Sequence, residues 1–218
     1  MDTVFKSVTK DDIENEGIIK EAAGIIKRGG VLIFPTETVY GVGADAFNEK
    51  ACRRIYEIKN RPAHKPLIVL ISYIKDVDRV ASDVPDEARN LMEKYWPGPL
   101  SIILKKNEDL PDVVTAGTDT VAVRLTSNEV LRKIISEAEC PIVAPSANIS
   151  GKPFNVRAKD TVQDFEGLVD MIVEDDGSVS GVESTIVYMC GGHHKLIREG
   201  AIPATCLSFR TLEGGPKN

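Results

Sequence analysis

The sequence lacks several features that would assign it to a particular class of protein. No apolar run approaches the ~20 residues that a membrane-spanning helix needs, and residues 1–10 contain no apolar stretch of a secretory signal. The four cysteines, Cys52, Cys140, Cys190 and Cys206, include no C-x-x-C pair. This spacing excludes the usual zinc site and favours reduced thiols, so we expect a cytoplasmic protein without a membrane partner.

Two common nucleotide-binding signatures are also missing. No G-x-x-x-x-G-K-[ST] occurs, which excludes a Walker-type site. The segment 41–46, GVGADA, fits the relaxed dinucleotide fingerprint G-x-G-x-x-A, but residues 35–40 separate it from the preceding predicted strand. The fingerprint needs glycines that connect a strand directly to a helix, so we do not expect a dinucleotide site here.

What remains is an acidic chain of ordinary globular composition. Its 218 residues are 42% hydrophobic and 28% charged, with 27 basic against 33 acidic residues and a net charge of −6. Size and composition predict a single domain over 1–218, with its core at about 11–206 and a loose tail over 207–218. The acidic balance argues against a broad basic face that coats nucleic acid, but it permits a local basic cavity.

Apolar periodicity predicts an α/β fold. Predicted helices cover 11–28, 48–59, 86–95 and 129–138, and predicted strands cover 31–34, 67–71, 100–104, 121–125, 142–144, 169–173, 184–188 and 195–198. A loop is predicted around Gly41 and Gly43, and a hairpin turn with no metal site at 191–194, GGHH. Strands alternate with helices early and crowd together late, which predicts a twisted sheet of mixed parallel and antiparallel pairing with flanking helices.

Positive charge is concentrated in one loop after the second predicted helix. Lys59, Arg61 and Lys65 fall within eight residues that include two prolines. Such a cluster suits a small polyanion, above all a nucleoside triphosphate. The alternative is three solvated surface charges, which would contribute little.

Polar side chains follow two of the buried strands. The segment 35–41, PTETVYG, carries two hydroxyls, a carboxylate and a phenol, and Ser146 and Asn148 follow a later strand. Open α/β sheets bind ligands where strands end, but Ser, Thr and Asn side chains also stabilise plain turns, and both readings stand. Arg124 lies in an apolar run and is either paired internally or directed at a ligand carboxylate, and Arg198 is similar.

Together these segments resemble the YrdC-type family, the threonylcarbamoyl-adenylate synthases. The shared motifs occur in family order and spacing: GGVLIFPTETVYG at 29–41, KNRP at 59–62, WPGP at 96–99, VR at 123–124, SAN at 146–148 with SG at 150–151, STIV at 184–187 and REG at 198–200. The resemblance covers about 29–200. It implies the short, single-domain form of the family, without a second C-terminal domain, and a YrdC-like sheet around a basic cavity.

The resemblance also implies a reaction. L-Threonine, bicarbonate or CO2, and ATP would give threonylcarbamoyl-AMP and pyrophosphate, for the threonylcarbamoyladenosine (t6A) modification of tRNA. A separate transferase would carry the group to tRNA, so that any contact of this chain with tRNA would be weak or indirect. Mg²⁺ would arrive on the ATP phosphates, and neither an organic cofactor nor a protein metal site is implied. No covalent intermediate is needed, so positioning and charge stabilisation would carry the chemistry.

Site residues are carried over by similarity. The catalytic candidates are Lys59 and Arg61. The residues implied to bind ATP are Lys59, Arg61, Lys65, Thr120, Asn148 and Arg198. The residues implied to bind threonine are Thr36, Arg124, Ser146 and Ser184, with Arg124 holding the carboxylate. Two departures stand out: Leu70 replaces a histidine of many relatives, and 153–156, PFNV, replaces a segment rich in Ser and Thr.

Two other functions compete with this interpretation. A carbamoyltransferase of the hydrogenase-maturation type has a related central domain, but it adds an acylphosphatase-like domain and zinc-binding cysteine pairs that this chain lacks. A non-catalytic RNA-binding protein would use the basic cavity as its site. The acidic charge and the single Trp supply neither a basic stripe nor a stacking platform for that role.

Overall fold

The computed structural model describes residues 2–9, 16–155, 157–175 and 179–207. Within them the helices are α1 Gly17–Lys27, α2 Glu49–Lys59, α3 Val77–Val80, α4 Asp86–Tyr95, α5 Asp112–Thr115, α6 Glu129–Ala138 and α7 Ala158–Phe165. The strands are β1 Val4–Val8, β2 Leu32–Phe34, β3 Gly41–Asp45, β4 Ile68–Ile71, β5 Ala81–Ser82, β6 Leu100–Lys106, β7 Thr120–Leu125, β8 Ile142–Val143, β9 Met171–Asp175, β10 Thr185–Cys190 and β11 His193–Arg198.

All the named strands belong to one sheet. Its order is β1-β9-β2-β3-β8-β4-β7-β6-β10-β11, and β5 pairs with β6 beside this path. The pairs β1–β9, β2–β9, β4–β7 and β6–β10 are parallel, whereas β2–β3, β3–β8, β4–β8, β6–β7, β5–β6 and β10–β11 are antiparallel. The predicted mixed sheet with flanking helices is therefore confirmed.

Two apolar clusters cover the two faces of the sheet. On one face α1 and α6 pack through isoleucines such as Ile19 and Ile134 against Phe34 and Leu70. On the other face α2 and α4 pack against alternate residues of the same strands, for example Ile33 beside Leu32 and Phe34 in β2. Successive side chains of a strand point to opposite faces, so strands covered on both sides read as unbroken apolar runs.

The two ends of α2 explain how the local sequence positions the basic loop. The Asn48 side chain accepts a hydrogen bond from the amide of Ala51 at 3.1 Å and so caps the first turn. At the other end Asn60 adopts the left-handed conformation, with φ of 49°, which ends the helix. The chain leaves α2 at Lys59 and turns at once into the predicted basic loop.

The predicted loop around Gly41 and Gly43 is wrong, because these residues form β3 and pair with β2. A Cβ on Gly41 would lie 2.7 Å from the Phe34 ring, and one on Gly43 would lie 2.4 Å from the carbonyl oxygen of Val143. The glycines therefore allow close packing inside the sheet, and they do not form a phosphate-binding turn. The match of 41–46 to the dinucleotide fingerprint has no structural counterpart.

Other boundaries also differ from prediction. The histidines of 193–194 lie in β11, and the hairpin turn consists of Gly191 and Gly192, both at positive φ. Five elements were not predicted from the sequence: β1, β5, α7 and the short α3 and α5. The predicted start of the first helix at 11–15 and the predicted tail beyond 207 lie outside the described residues.

Candidate active site

One cavity of about 450 Å³ collects most of the predicted site residues. It opens over one face of β7, β6, β10 and β11 and is bordered by the loops after β2, α2 and β8. Nine of the ten predicted residues line it: Thr36, Lys59, Arg61, Lys65, Arg124, Ser146, Asn148, Ser184 and Arg198. Segments far apart in sequence thus meet at one cavity.

Thr120 is the residue that the structure does not bring into this lining. It begins β7 opposite Lys105, two residues before Ala122, which does line the cavity. Because side chains alternate along a strand, Thr120 shares the sheet face of Ala122 and Arg124 but lies farther along it. Its contact with the nucleotide stays a prediction.

Arg124 is a buried cation with unused hydrogen-bonding capacity. It is 5% exposed, and its Nη1 donates to Thr38 Oγ1 at 3.0 Å. Its Nη1 lies 3.8 Å from Glu37 Oε1, and its Nε has no hydrogen-bond partner among the described residues. Burial lowers the pKa of the guanidinium, the Glu37 charge opposes that shift, and Arg198 adds to it. The charge of Arg124 is therefore only partly neutralised by groups of the protein, so its guanidinium can bind a ligand carboxylate.

The hydroxyls of the 35–41 segment orient this arginine. Thr36 Oγ1 donates to the Val39 carbonyl oxygen at 2.7 Å and lies 2.9 Å from Thr38 Oγ1. A hydroxyl has one hydrogen, so Thr38 donates to Thr36 and is left to accept from Arg124. Thr36 also accepts from two backbone amides, which is the turn-stabilising role considered above. Thr38 was not predicted as a partner of Arg124, although it lies in the same 35–41 segment as Thr36.

Lys59 is directed at protein oxygens. It is 1% exposed, and its Nζ donates to the carbonyl oxygens of Ser146 and Asn148 and lies 3.4 Å from Asn148 Oδ1. The amide of Ser150 in turn donates to the Lys59 carbonyl oxygen at 2.9 Å. Burial, with the positive charge of Arg61 adding to its effect, lowers the pKa of the ammonium to about 7. Lys59 thus holds the loop at 146–150 against α2, and its contact with a triphosphate stays a prediction.

The basic loop is likewise held by its own arginine. Arg61 Nε donates to the Lys65 carbonyl oxygen at 3.0 Å, and its Nη2 donates to the Pro66 carbonyl oxygen at 2.7 Å. The Tyr56 hydroxyl also donates to the Lys65 carbonyl oxygen at 3.0 Å. Burial lowers the pKa of Arg61. The loop is therefore more than three solvated charges, because its backbone is fixed while Arg61 and Lys65 line the cavity.

The loop after β8 is fastened from several sides. Ser146 Oγ donates to Asn148 Oδ1 at 2.6 Å, and Asn148 Nδ2 donates to the Lys152 carbonyl oxygen at 2.6 Å. The amide of Ala147 donates to the Tyr40 carbonyl oxygen at 2.6 Å, which ties this loop to the 35–41 segment. The turn-forming role and the cavity-lining role thus coexist in Ser146 and Asn148.

Arg198 has partners within the protein, which is one of the two alternatives considered for it above. Its Nη1 pairs with the Glu183 carboxylate, while Nε and Nη2 donate to the Ser184 carbonyl oxygen at 3.1 and 2.8 Å. The Ser184 hydroxyl lies 2.8 Å from Ser101 Oγ. Both members of the Arg198–Glu183 pair are about one-third exposed, so the pair is weak and open to exchange with another anion.

The charges of the cavity favour anions. Among its described lining residues, five are basic (Lys59, Arg61, Lys65, Arg124 and Arg198) and Glu183 alone is acidic. In the described part of the chain, no group of three or more His, Cys, Asp or Glu side chains lies close enough to hold a metal ion. A cation in this cavity would therefore take most of its ligands from a bound polyanion and water.

Several other residues are placed outside the chemistry. Leu70 is fully buried in the core and pairs with Arg124 in the sheet register. Burial raises the pKa of the Cys52 and Cys140 thiols to about 12, which argues against either as a nucleophile.

Among the described helices, none has both the length and the apolar character needed to traverse a bilayer.

Comparison with known proteins decides the family. The family model Sua5_yciO_yrdC, described as "Telomere recombination", matches residues 24–200. The chain belongs to the Sua5/YciO/YrdC family. The resemblance identified from the motifs at 29–200 is thereby confirmed.

Relatives within the Sua5/YciO/YrdC family carry consistent names. Threonylcarbamoyl-AMP synthase of Pyrococcus abyssi is 45% identical over 185 residues, covering 85% of this chain and 54% of the relative. The Bacillus subtilis protein of the same name is 40% identical over 199 residues, covering 91% and 58%. The chain spans just over half the length of these relatives.

A solved structure of this family matches the fold. Pyrococcus abyssi Sua5 in complex with L-threonine superposes with a TM-score of 0.87 at 42% identity, covering 92% of this chain and 58% of that one. The mixed sheet described above is therefore the fold of that family member over the shared region.

Proposed function

We propose that the chain is an L-threonylcarbamoyladenylate synthase, which makes threonylcarbamoyl-AMP and pyrophosphate from L-threonine, bicarbonate or CO2, and ATP. The observation that carries the proposal is one cavity that combines a buried, incompletely paired Arg124 with the fixed basic loop of Arg61 and Lys65. The first suits an amino-acid carboxylate and the second a triphosphate. The names of the relatives and the threonine complex of one of them support this assignment.

In the proposed reaction, Arg124 holds the threonine carboxylate with the fork of its guanidinium. Thr36, Ser146 and Ser184 surround the rest of the amino acid, and Thr38 keeps the guanidinium in place. The threonine nitrogen attacks CO2 and loses a proton, which gives a carbamate. A carbamate oxygen then attacks the α-phosphorus of ATP in line, and the bond to pyrophosphate breaks. No protein nucleophile is required, so holding the two substrates in line supplies most of the catalysis.

The cations of the cavity would stabilise the charge that moves to the leaving pyrophosphate. Arg61 and Lys65 face the cavity from a fixed backbone, so little reorganisation is needed when the charge develops. Lys59 would contribute through the loop of Ser146 and Asn148 that it holds. Arg198 can join them once it exchanges Glu183 for phosphate oxygens. Mg²⁺ bound to the ATP phosphates would neutralise further charge.

The product is a mixed anhydride, which water hydrolyses. This lability implies that a second enzyme nearby uses the product soon after it forms. We therefore assign the next step to a separate transferase that moves the threonylcarbamoyl group to tRNA, with this chain contacting tRNA weakly or indirectly. The four free cysteines fit a reducing compartment, and we place the reaction in the cytoplasm.

The direct test is pyrophosphate release by the purified chain with L-threonine, bicarbonate and Mg-ATP. We expect release that depends on threonine and on bicarbonate and that stops when either is left out. L-Serine, which lacks the methyl group, serves as the matched substrate control and should react more slowly. If no pyrophosphate is released, or if its release does not depend on threonine, the synthase function is rejected. The carbamoyltransferase and the RNA-binding protein then become the remaining candidates.

A further inference from the structure

The cations of the cavity differ in whether a carboxylate lies beside them. Arg124 has Glu37 at 3.8 Å, and Arg198 is paired with Glu183. The other three cations of the lining form no ion pair with an Asp or Glu of the described residues: Lys59, Arg61 and Lys65. The positive charge of the cavity is therefore offset by carboxylates at its two buried or half-buried arginines and not at its basic loop.

Glu37 lies directly behind Arg124 but does not hydrogen-bond to it. Its Oε1 is buried 3.8 Å from Arg124 Nη1 and has no hydrogen-bond partner among the described residues. Its Oε2 accepts a hydrogen bond from the Thr126 hydroxyl. The Glu37 side chain is 18% exposed and does not belong to the cavity lining, whereas Arg124 does. The carboxylate thus acts on a ligand through its charge and through Arg124, and not by contact.

Several bonds hold the Glu37 carboxylate in this position. Thr126 is fully buried, and its Oγ1 also accepts from the Asn128 amide at 3.2 Å. The Asn128 side chain in turn caps α6 by accepting from the Leu131 amide at 2.9 Å. The Glu37 carbonyl oxygen accepts from the Ser180 amide at 3.2 Å. The carboxylate is therefore fixed by the N-terminus of α6 and by the backbone, independently of any ligand.

A fixed carboxylate behind a buried arginine discriminates between ligands by their net charge. Charges in a buried site act on each other far more strongly than charges in water. An anion at Arg124 is attracted by the guanidinium and repelled by Glu37, so much of its electrostatic attraction is cancelled. An amino-acid zwitterion has no net charge, so it is repelled little and still receives the two directed hydrogen bonds of the guanidinium.

We propose that Glu37 is a specificity-determining residue that acts through Arg124: its charge keeps phosphate groups away from this arginine and leaves it available to the carboxylate of a zwitterionic amino acid. A repulsive charge is an effective way to exclude a competing ligand. Without it, the five cations of the lining would offer a triphosphate several places to bind. The proposal rests on the proposed function for the identity of the two substrates, and it adds the residue that separates them.

The test measures binding to the full chain by calorimetry for two probes that share a carbon skeleton. L-Threonine is a zwitterion, whereas 3-hydroxybutyrate lacks the amine and is a monoanion. Glu37→Gln keeps an oxygen for the Thr126 hydroxyl but removes the charge. It should bind 3-hydroxybutyrate about 10-fold more tightly than the wild type, the order expected when a unit charge is removed from a site with an effective dielectric constant of about 20. Threonine affinity should change by less than about 3-fold. Glu37→Asp, which retains the charge, should retain the selectivity of the wild type.

A second measurement repeats the threonine titration in an excess of inorganic phosphate. Phosphate should leave the Kd of threonine unchanged in the wild type and raise it several-fold in Glu37→Gln, where it can occupy Arg124. Glu21→Gln is the matched control, because it makes the same change of net charge at a residue of α1 that pairs with Lys6 at 3.1 Å, outside the cavity. It should behave as the wild type. A merely structural role of Glu37 would weaken every probe and would not tighten an anion.

Thr126→Val should act in the opposite direction, because it removes the hydroxyl that holds Glu37 Oε2 and lets the carboxylate pair with Arg124. Both threonine and 3-hydroxybutyrate should bind more weakly, and Thr126→Ser should restore them. The proposal is overturned if Glu37→Gln does not tighten 3-hydroxybutyrate, if phosphate displaces threonine equally from the wild type, or if Thr126→Val leaves both probes unchanged.

Failure of the proposal is distinguishable from failure of the proposed function. The expected selectivities without threonine-dependent pyrophosphate release would reject the synthase reaction alone. Threonine-dependent release by the wild type, together with an unchanged selectivity in Glu37→Gln, would reject the role of Glu37 alone.

Discussion

Arg124 offers the sharpest test of how the cavity divides between its substrates. Arg124→Lys keeps a positive charge beside Glu37, which lies 3.8 Å from the guanidinium, but it removes the planar fork that can hold a carboxylate with two bonds. Loss of one hydrogen bond between charged groups in a buried site costs about 1.5–3 kcal/mol. The KM for threonine should therefore rise by roughly 10- to 150-fold.

The KM for ATP should change little, because the basic loop is held by Arg61 and not by Arg124. The assay is steady-state pyrophosphate release with one substrate varied at a time. Arg132→Lys is the matched control, because Arg132 also has a buried Nε without a hydrogen-bond partner among the described residues but lies on α6, outside the cavity. A larger rise in the KM for ATP than for threonine would show that the two subsites are exchanged.

Three further predictions concern the other charges. Lys59→Met removes the ammonium that holds the carbonyls of Ser146 and Asn148, so kcat should fall by about 10²-fold; near-normal turnover would make that contact incidental. Because the pKa of Lys59 is about 7 in the folded chain and 10.5 as its ordinary value, the unfolded chain binds more protons between these values. The stability of the wild type relative to Lys59→Met in urea should thus increase from pH 7 to about 10, and a decrease would contradict the lowered pKa of the buried Lys59. Glu183→Gln frees Arg198 for phosphate and should lower the KM for ATP by about 2- to 5-fold, whereas a rise would mean that Glu183 positions Arg198 for the nucleotide.

The strongly periodic elements could be predicted from sequence alone. The bounds of α4 and α6 agree with prediction, because each has an apolar stripe and α6 also has an N-cap at Asn128. β3 could not be predicted, because its glycines are required by the close approach of the Phe34 ring and the Val143 carbonyl oxygen, which belong to neighbouring strands. Such packing across the sheet overrides the local preference of glycine for turns.

The site was predictable as a set of residues but not as a set of contacts. Ordered motifs identified nine residues that the fold brings together. The partners of Arg124, Lys59 and Arg198 depend on distances across the folded chain, and no local pattern encodes them. Glu183 was missed for the same reason.

The proposed function requires that threonine, CO2 and the AMP part of ATP are joined in this one cavity. Mass spectrometry of the product formed with ¹³C-bicarbonate tests it most directly. We predict a single adenylate that contains threonine, is heavier than the product made with ordinary bicarbonate by the difference between one ¹³C and one ¹²C atom, and disappears when threonine is left out. AMP and pyrophosphate without such an adduct, even when the reaction is quenched rapidly, would contradict the proposed synthase function.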